Sequence, residues 1–421
     1  MVGARQVGKS TLAELAATTP PGEPLFAWSD RQPRAGGAAS ATITRYVSLD
    51  DATTLAAARA DPQGFLGAMQ ADDWTVIDEV QRAPELFVAI KRAVDRDRRP
   101  GRYLLTGSTS ALFLATMATE LAGRIEVIDL WPLAQCEIES VRADFLAAAF
   151  DGRPPQCQSD EPRQATLARA ARGGYPEAVA RADPARRAAW FGSYVTTVIQ
   201  REIRSLSAIG DEAAIVRVLR ALAMQSGSPR NVQAISQAVA LPASTVKRYV
   251  DLLEAVYLVK KIAPWSRNIE KRFVKSPKYI LTDSGLYGHL LAADLGESRR
   301  GLLLEAFVGN ELLRLASAEP VPPTLLFFRL QNGAEVDFVL EASDGGLVGV
   351  EVKAATSVSR SDFRGLEALR EIAGRSFCCG VVVHCGERTL PFGDRLFSVP
   401  IAALWQSASA EPPRRIPFAR R

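Results

Sequence analysis

The chain opens with the stretch that decides its fold, Met1-Val2-Gly3-Ala4-Arg5-Gln6-Val7-Gly8-Lys9-Ser10-Thr11. It contains the spacing G-x-x-x-x-G-K-S, which is typical of a loop that holds phosphate groups between a buried strand and a helix. The two glycines permit backbone angles and close approaches that a β-carbon would block, and successive N–H groups then face the phosphates. A chance glycine turn before a helix is the alternative, but such a turn would not require the complete G-x-x-x-x-G-K-S spacing. The motif therefore predicts nucleotide binding by residues 3–11.

Two side chains of this loop carry the expected chemistry. Lys9 would reach the β- and γ-phosphates, and the Ser10 hydroxyl would be a ligand of Mg²⁺. The run that follows is predicted to be a helix whose N-terminus faces the phosphates. Only Met1 and Val2 remain of the strand that normally precedes such a loop. We therefore expect a truncated first strand, and whether the natural chain begins upstream of Met1 stays open.

A second motif follows at Trp74-Thr75-Val76-Ile77-Asp78-Glu79, a short apolar run that ends in two carboxylates. Such a run is typical of a buried parallel strand. Asp78 would hold Mg²⁺ through water, and Glu79 would orient and deprotonate the attacking water. An ordinary strand before an acidic turn is the alternative, and the loop upstream makes it the weaker interpretation. The two motifs together indicate a nucleotide-binding ATPase.

The run Arg102-Tyr103-Leu104-Leu105-Thr106-Gly107-Ser108 predicts a third strand with polar residues at its carboxyl end. Ligands of doubly wound sheets bind at this end, so Thr106 and Ser108 are candidates to contact the γ-phosphate or the attacking water. Ser108 could instead cap the next helix. Arg124 is a candidate to stabilise charge, although a structural salt bridge is the commoner role of a single arginine.

Composition restricts the class of protein. Hydrophobic residues make up 47% of the chain, the net charge is only +4, and there are two histidines and five cysteines. The cysteines lack metal or disulfide spacing, which indicates reduced thiols in a cytoplasmic protein. We find no apolar run of membrane-spanning length and no signal peptide. A histidine-based metal site is not expected.

Element patterns divide the chain into several predicted regions. Residues 1–135 alternate strand and helix patterns, as an α/β nucleotide domain does, with a flexible insertion at 29–42. Residues 136–213 are predicted to be mainly helical. The composition of residues 407–421 favours a disordered tail.

Residues 214–290 have helix, helix, turn, helix and strand patterns, the order of a winged helix-turn-helix. Four side chains would lie at the start of its recognition helix, namely Ser244, Thr245, Lys247 and Arg248. From Lys260 to Lys278 there are seven basic residues and one acidic residue, which favours phosphate contacts. We therefore predict DNA binding through residues 231–278. A winged helix that serves only for packing between domains is the alternative.

Residues 291–406 are predicted to form a second α/β domain. A helix that carries Glu305 precedes three strands, of which the second carries Asp337. The period of two places Glu351 and Lys353 on one face of the third strand. Carboxylates bind Mg²⁺, and a lysine helps to activate water and stabilise charge, so the set suits phosphodiester hydrolysis. The pattern outlines a restriction-endonuclease-like domain with metal ligands Glu305, Asp337 and Glu351 and catalytic residues Asp337, Glu351 and Lys353. Charged residues that only form ion pairs on a strand rim are the alternative.

The chain resembles bacterial and archaeal AAA-type ATPases that carry a C-terminal domain of unknown function with a restriction-endonuclease-like fold. The resemblance is carried by GARQVGKST at 3–11, VIDEVQRAP at 76–84, YLLTGS at 103–108, LAGR at 121–124, GGYPEA at 173–178, KSPKYILTDSGL at 275–286, NGAEVDFVLE at 332–341 and GVEVKA at 349–354. It implies a P-loop core that binds ATP through Gly3 to Ser10, with Asp78 and Glu79 as magnesium and water residues. The chain departs from the family in its shortened first strand and in the segment before it, which usually helps to hold the adenine base.

Three functions fit these observations. The first is Mg²⁺-dependent ATP hydrolysis coupled to a DNA-binding winged helix and a nuclease-like domain. The second is a DNA nuclease gated by ATP, and the third is a non-catalytic DNA-binding regulator switched by ATP. The expected cofactors are ATP and Mg²⁺. Sites of AAA-type ATPases often lie between subunits, so a homo-oligomer is also expected.

Overall fold

The computed structural model describes residues 1–18, 45–69, 74–107, 117, 119–154, 156–206, 211–224, 232–268, 272, 276–291 and 297–406. The predicted insertion at 29–42, the predicted tail at 407–421 and Ser108 lie outside these residues. Among the described residues, 1–131 and 201–206 form one compact unit, and 132–200 with 211–406 form a second.

The first unit is built on parallel strands. They are β1 (Val2–Gly3), β2 (Arg45–Ser48), β3 (Thr75–Asp78), β4 (Tyr103–Leu105) and β5 (Asp129–Leu130). Strands β2, β3 and β4 pair in parallel, as do β1 and β5. The Met1 backbone nitrogen donates to the Leu105 carbonyl oxygen at 2.6 Å, which links the two sets in the order β2-β3-β4-β1-β5. The carboxyl ends of β1, β3 and β4 therefore lie at one edge of this arrangement.

Local sequence explains the helices of this unit. They span Lys9–Thr18, Ala52–Ala60, Pro62–Ala68 and Leu86–Arg96, with a 3₁₀ turn at Val80–Arg82 and a short helical turn at Arg204–Leu206. The Asp51 carboxylate accepts from the Thr54 N–H at 2.7 Å, and the Asp61 carboxylate accepts from the Gly64 N–H at 2.9 Å. These are N-caps, which satisfy helix-end donors that would otherwise lack partners. Val76 and Ile77 are fully buried, so β3 forms the centre of the core.

The second unit combines helices with one large sheet. Its helices span Gln135–Ile138, Phe145–Phe150, Arg163–Arg172, Pro176–Val179, Pro184–Thr197, Glu212–Met224, Val232–Val239, Ala243–Ala255, Ser284–Leu291, Glu297–Ser317 and Arg364–Ala373. A π-helical segment, Val198–Ile203, follows Pro184–Thr197 along the chain, and its last three residues belong to the first unit. The 3₁₀ turns of the second unit lie at Arg360–Phe363, Gly374–Ser376 and Ile401–Leu404. The strands are β6 (Val259–Pro264), β7 (Lys278–Leu281), β8 (Thr324–Arg329), β9 (Glu335–Glu341), β10 (Leu347–Lys353), β11 (Phe377–His384), β12 (Leu390–Gly393) and β13 (Leu396–Pro400).

These strands form one sheet in the order β12-β13-β11-β10-β9-β8-β6-β7. Strands β8, β9 and β10 form an antiparallel meander, and β11 joins β10 in parallel. Strands β6 and β7 pair antiparallel, and β6 also pairs with β8. The sheet therefore contains strands from both sides of the boundary predicted at residues 290 and 291.

Close backbone packing holds the helix Arg364–Ala373 against β9 and β10. A β-carbon on Gly349 would lie 2.6 Å from Leu366, and one on Gly365 would lie 1.8 Å from the Glu335 carbonyl oxygen. Leu366 and Leu369 are fully buried in the same core. The contact at Gly365 is with backbone and requires glycine, whereas the contact at Gly349 is with the end of a leucine side chain. The helix thus rests directly on the strands that carry Asp337 and Glu351.

A buried ion network explains two motifs whose role the sequence left open. The Gly174 N–H donates to the Asp283 carboxylate at 2.7 Å, and Arg314 donates to Asp283 at 3.1 Å and to Glu311 at 2.9 Å. Asp283 and Glu311 are fully buried. The segments at 173–178 and 275–286 thus meet in a structural network.

The sequence also led us to expect no membrane-spanning segment and reduced cysteines. Among the described residues, we find no helix with the length and apolar character needed to cross a bilayer. The cysteines are free thiols: Cys136, Cys157, Cys378, Cys379 and Cys385.

Candidate functional site

The loop between β1 and the helix Lys9–Thr18 surrounds a cavity. A β-carbon on Gly3 would lie 2.2 Å from the Leu130 carbonyl oxygen, and Gly8 has a φ of +95°. Both positions therefore require glycine. The cavity has a volume of about 210 Å³ and is lined by Arg5, Gln6, Gly8, Lys9, Ser10, Thr11 and Glu79.

Lys9 is the buried cation of this loop. Its side chain is 6% exposed, and its Nζ donates to the carbonyl oxygens of Gly3 at 3.1 Å and Ala4 at 2.7 Å. Burial lowers the pKa of Lys9, while the nearby charges of Glu79 and Glu202 act in the opposite direction. The ammonium is thus already desolvated, which strengthens its attraction for an anion that enters the loop.

Three hydroxyl groups donate to the Asp78 carboxylate, which is 2% exposed. Ser10 Oγ lies 3.0 Å from Oδ1, Tyr46 Oη lies 3.0 Å from Oδ2, and Thr106 Oγ1 also contacts Oδ1. Thr106 was predicted to contact phosphate or water. In the structure its hydroxyl instead donates to Asp78, the residue predicted to hold Mg²⁺. A hydroxyl beside a carboxylate is a hard oxygen donor set of the kind that Mg²⁺ accepts, so Ser10 and Asp78 fit the predicted ion.

Glu79 lies at the cavity because the backbone turns sharply after β3. Its φ of 58° and ψ of 40° are left-handed, and its N–H donates to Thr106 Oγ1 at 3.2 Å. The Gln81 amide donates to the Glu79 carboxylate at 2.5 Å. Burial raises the pKa of Glu79, although the Gln81 hydrogen bond opposes the shift. A carboxylate with a raised pKa is a better general base than an ordinary one.

Sequence reasoning missed two residues at this site. Tyr46 lies on β2, and Glu202 accepts from Arg5 Nη1 at 2.6 Å with only 15% of its side chain exposed. Neither belongs to a local motif, and Glu202 is distant from the loop in sequence. Arg124 forms an ion pair with Asp95 through two hydrogen bonds, from Nε to Oδ1 at 2.7 Å and from Nη2 to Oδ2 at 3.2 Å. This pair matches the alternative of a structural salt bridge.

A second group of charged side chains lies where β9 and β10 separate. The antiparallel register reaches Val350 opposite Phe338. Beyond that pair, the Val352 N–H donates to the Asp337 carboxylate at 2.8 Å, and Lys353 Nζ donates to Glu351 at 2.8 Å. The structure therefore brings the predicted residues Asp337, Glu351 and Lys353 together, and we call this group, with Lys278 and Glu305, the C-terminal site.

Glu305 has a partner that the sequence did not predict. Lys278 donates to the Glu305 carboxylate and is only 2% exposed. The expectation that Lys278 contacts phosphates from the protein surface is therefore wrong, because Lys278 is buried. Counting charges along the sequence cannot detect a buried partner on another element. Arg272, from the same basic stretch, is paired with Glu341 at 2.5 Å.

Burial and neighbouring charge shift the carboxyl groups of the C-terminal site. Burial and the charge of Asp337 raise the pKa of Glu305 and of Glu351, while Lys278 and Lys353 oppose these shifts. Across the ranges that the structure describes, we find no three His, Cys, Asp or Glu side chains gathered closely enough to hold a metal ion. The roles of Glu305, Asp337 and Glu351 as metal ligands stay predictions.

Comparison with known proteins identifies the domains. Residues 1–139 match the AAA domain family, and residues 300–404 match a domain of unknown function, DUF4143. The chain carries an N-terminal AAA domain. Residues 163–297 match another domain of unknown function, DUF8612. The AAA domain indicates a nucleotide-binding ATPase, and the coarse prediction of a mixed α/β chain with such a domain is confirmed.

Two of the similar proteins match nearly the whole chain. The uncharacterized proteins Rv2008c of Mycobacterium tuberculosis and Mb2031c of Mycobacterium bovis are each 29% identical to it over 418 residues, which cover 98% of this chain and 81% of each relative. An uncharacterized protein of Haemophilus influenzae is 25% identical over 291 residues, covering 67% of this chain and 66% of its own. All three of these proteins are uncharacterized.

Proposed function

We propose that this protein binds ATP together with Mg²⁺ in the cavity of the first unit and hydrolyses it to ADP and phosphate. The observation that carries the proposal is the convergence of Lys9, Ser10, Asp78 and Glu79 at one end of the parallel strands. A cation, a hydroxyl–carboxylate pair and a buried carboxylate supply the three kinds of group that phosphoryl transfer needs.

Each group has a distinct task in this proposal. The loop N–H groups and Lys9 bind the β- and γ-phosphates, and Glu79 orients the attacking water and accepts its proton. Ser10 and Asp78 would hold Mg²⁺, which neutralises charge on the phosphates when it is bound. The new bond joins the water oxygen to the γ-phosphorus, and the bond from that phosphorus to the bridging oxygen of ADP breaks.

Steady-state turnover and nucleotide binding test this proposal. Lys9→Ala should weaken ATP binding, whereas Glu79→Gln should keep binding and lose about 10²- to 10⁴-fold in turnover, the usual effect of removing a general base. Glu85→Gln changes an exposed carboxylate nearby and is the matched control. Turnover that is unchanged in both site variants would exclude the proposal.

We further infer that residues 214–290 form a winged helix that binds DNA through residues 231–278. Three helices followed by the antiparallel pair β6 and β7 support this fold. Val246, Tyr249 and Val250 are buried, while Lys247 and Arg248 on the same helix are exposed. This helix thus has a basic outer face that suits phosphate contacts.

DNA affinity as a function of salt tests the winged-helix proposal. Replacing both Lys247 and Arg248 by Ala should reduce the slope of log affinity against log salt by about 1.8, since each phosphate contact contributes roughly 0.9. The control replaces Arg96 and Arg98, which are exposed in the first unit. A slope that is the same in both double variants would contradict DNA contact by this helix.

The C-terminal site favours a second candidate function, phosphodiester hydrolysis by a restriction-endonuclease-like domain. The helix Glu297–Ser317, the meander β8-β9-β10, the helix Arg364–Ala373 and the parallel strand β11 follow the order of such a core. Water would form a bond to phosphorus and one P–O ester bond would break, giving a phosphomonoester and an alcohol that takes up a proton.

Plasmid nicking with Mg²⁺ or Mn²⁺ tests this candidate. Wild-type protein should nick, and Lys353→Ala should not, because Lys353 contacts Glu351 and supplies positive charge at the site. Equal nicking by both would exclude it. Gating of this activity by ATP, homo-oligomerisation and cytoplasmic location stay predictions.

A further inference from the structure

The phosphate-binding loop carries a second cation besides Lys9. Arg5 lines the same cavity as Lys9 and Glu79, and 40% of its side chain is exposed. The next residue, Gln6, has a φ of 61°, a left-handed conformation that is uncommon outside glycine. Such conformations persist where the surrounding structure holds them, and they cluster at functional sites. The backbone beside Arg5 is thus held in a specific shape at the cavity.

A carboxylate from a distant part of the sequence binds Arg5. Arg5 Nη1 donates to Glu202 Oε1 at 2.6 Å, and only 15% of the Glu202 side chain is exposed. Glu202 lies in the π-helical segment Val198–Ile203, and its own position belongs to the first unit, as the loop does. Single turns of π-helix are frequent at functional sites. A short, charge-assisted hydrogen bond of this kind orients the guanidinium.

The neighbouring charges explain why the loop needs this carboxylate. Burial lowers the pKa of Lys9, and the charge of Arg5 acts in the same direction, while Glu79, Glu202 and Asp78 act against both. The repulsion between the two cations is therefore offset by a carboxylate that is bound directly to one of them. Arg5 and Lys9 can thus both stay charged where the phosphates are expected.

Phosphoryl transfer in P-loop enzymes uses a charge-stabilising arginine, which the same chain or a partner supplies. The water oxygen bonds to the γ-phosphorus, the bond to the bridging oxygen of ADP breaks, and the water proton passes to Glu79. Negative charge is meanwhile spread over the phosphoryl oxygens. A guanidinium suits this charge because its planar fork donates to two oxygens at once. Arg124, the candidate from the sequence, is bound to Asp95, whereas Arg5 lies at the cavity itself.

We propose that Arg5 is the charge-stabilising arginine of ATP hydrolysis, supplied by the same chain as Lys9 and Glu79, and that Glu202 positions it. Arg5 would contact the γ-phosphoryl oxygens and is a catalytic residue, whereas Glu202 acts through Arg5. The proposal rests on the ATP hydrolysis proposed above. It adds that each chain completes its own site, without an arginine from a second copy.

Single-turnover hydrolysis of bound ATP by the full chain tests the role of Arg5. Arg5→Ala should keep ATP binding and lose at least about 10³-fold in rate, the usual contribution of such an arginine. Glu202→Gln should lose about 10²-fold, since a misplacement of about 1 Å has an effect of that size. Arg124→Ala and Glu85→Gln change an arginine and a glutamate outside the cavity, and both should hydrolyse ATP like wild type.

A double variant separates positioning from a merely structural role of Glu202. Arg5→Ala with Glu202→Gln should be as slow as Arg5→Ala alone, because Glu202 acts only through Arg5. Losses that multiply would show that the two residues act independently, and they would overturn the role of Glu202. The double variant leaves no unpaired carboxylate, so it replaces Arg5→Ala in the comparison with wild type if the single variant fails to fold.

A mixture of two inactive variants distinguishes an arginine of the same chain from one that a partner supplies. Arg5→Ala lacks the arginine and Glu79→Gln lacks the base, so their mixture should stay inactive. Recovery of hydrolysis in the mixture would overturn the proposal. Hydrolysis that requires Glu79 but not Arg5 would also overturn it and would leave the proposed function intact. A wild-type protein that does not hydrolyse ATP would contradict the proposed function itself, and this proposal with it.

Discussion

At the scale of single residues, the arrangement around Asp78 is the most informative. Tyr46, Ser10 and Thr106 come from three different elements, and each donates a hydroxyl hydrogen to the same carboxylate. Hydrogen bonds to a charged group contribute about 1.5–3 kcal/mol. The carboxylate is therefore oriented before any ion arrives.

This orientation predicts the effect of Tyr46→Phe. Loss of the hydroxyl should free Oδ2 of Asp78 and lower ATP turnover at limiting Mg²⁺ by about tenfold, the equivalent of roughly 1.4 kcal/mol, with ATP binding retained. The measurement is turnover as a function of Mg²⁺ concentration. Tyr103→Phe, on β4, is the control. A Mg²⁺ dependence identical to that of wild type would contradict the assigned role of Tyr46.

The raised pKa of Glu79 makes a prediction about stability. Because the folded pKa lies above the ordinary value of 4.5, the carboxyl group favours folding less and less as pH rises from that value through the folded pKa. Glu79→Gln should therefore increase the melting temperature of the first unit at pH 8, and the increase should vanish near pH 4. Thermal unfolding across this range measures it. A variant that is less stable than wild type at pH 8 would contradict the burial argument.

At the scale of elements, the packing of Arg364–Ala373 on β9 and β10 depends on glycine. Gly365→Ala would place a β-carbon against the Glu335 carbonyl oxygen, which is backbone and cannot rotate away. We expect a loss of about 1–3 kcal/mol in the stability of the second unit, as in other overpacked contacts. Gly301→Ala, in open space on the helix Glu297–Ser317, should be neutral or stabilising. Denaturant unfolding of both variants tests this, and equal stability would refute the close contact.

The distinction between local and long-range contacts explains which elements and site residues could be predicted from the sequence. The loop at 3–11 and strand β3 were predictable because each motif is continuous and its chemistry depends on local spacing. The helix–helix–helix–strand order and the three strands at the C-terminal site also follow from local periodicity. Lys278 was assigned to a basic surface because its counter-ion Glu305 lies on a separate helix, and no local pattern indicates that pairing. Tyr46 and Glu202 escaped detection for the same reason.

At the scale of the whole molecule, the sequence predicted more divisions than the contacts show. The described residues form two compact units, and β6 and β7 belong to the same sheet as β8 to β13. A domain boundary drawn from local helix and strand patterns cannot anticipate strand pairing across it, because pairing is a long-range contact. The proposed winged helix therefore shares its sheet with the C-terminal site, while the nucleotide site lies in the other unit.

The central claim is that the first unit hydrolyses ATP with Glu79 as the base. Single-turnover hydrolysis of bound ATP by wild type and by Glu79→Gln tests it most directly. We predict that both proteins bind ATP, that wild type converts it to ADP and phosphate, and that the variant retains it at least about a hundredfold longer. Hydrolysis at the same rate by both proteins would contradict the claim.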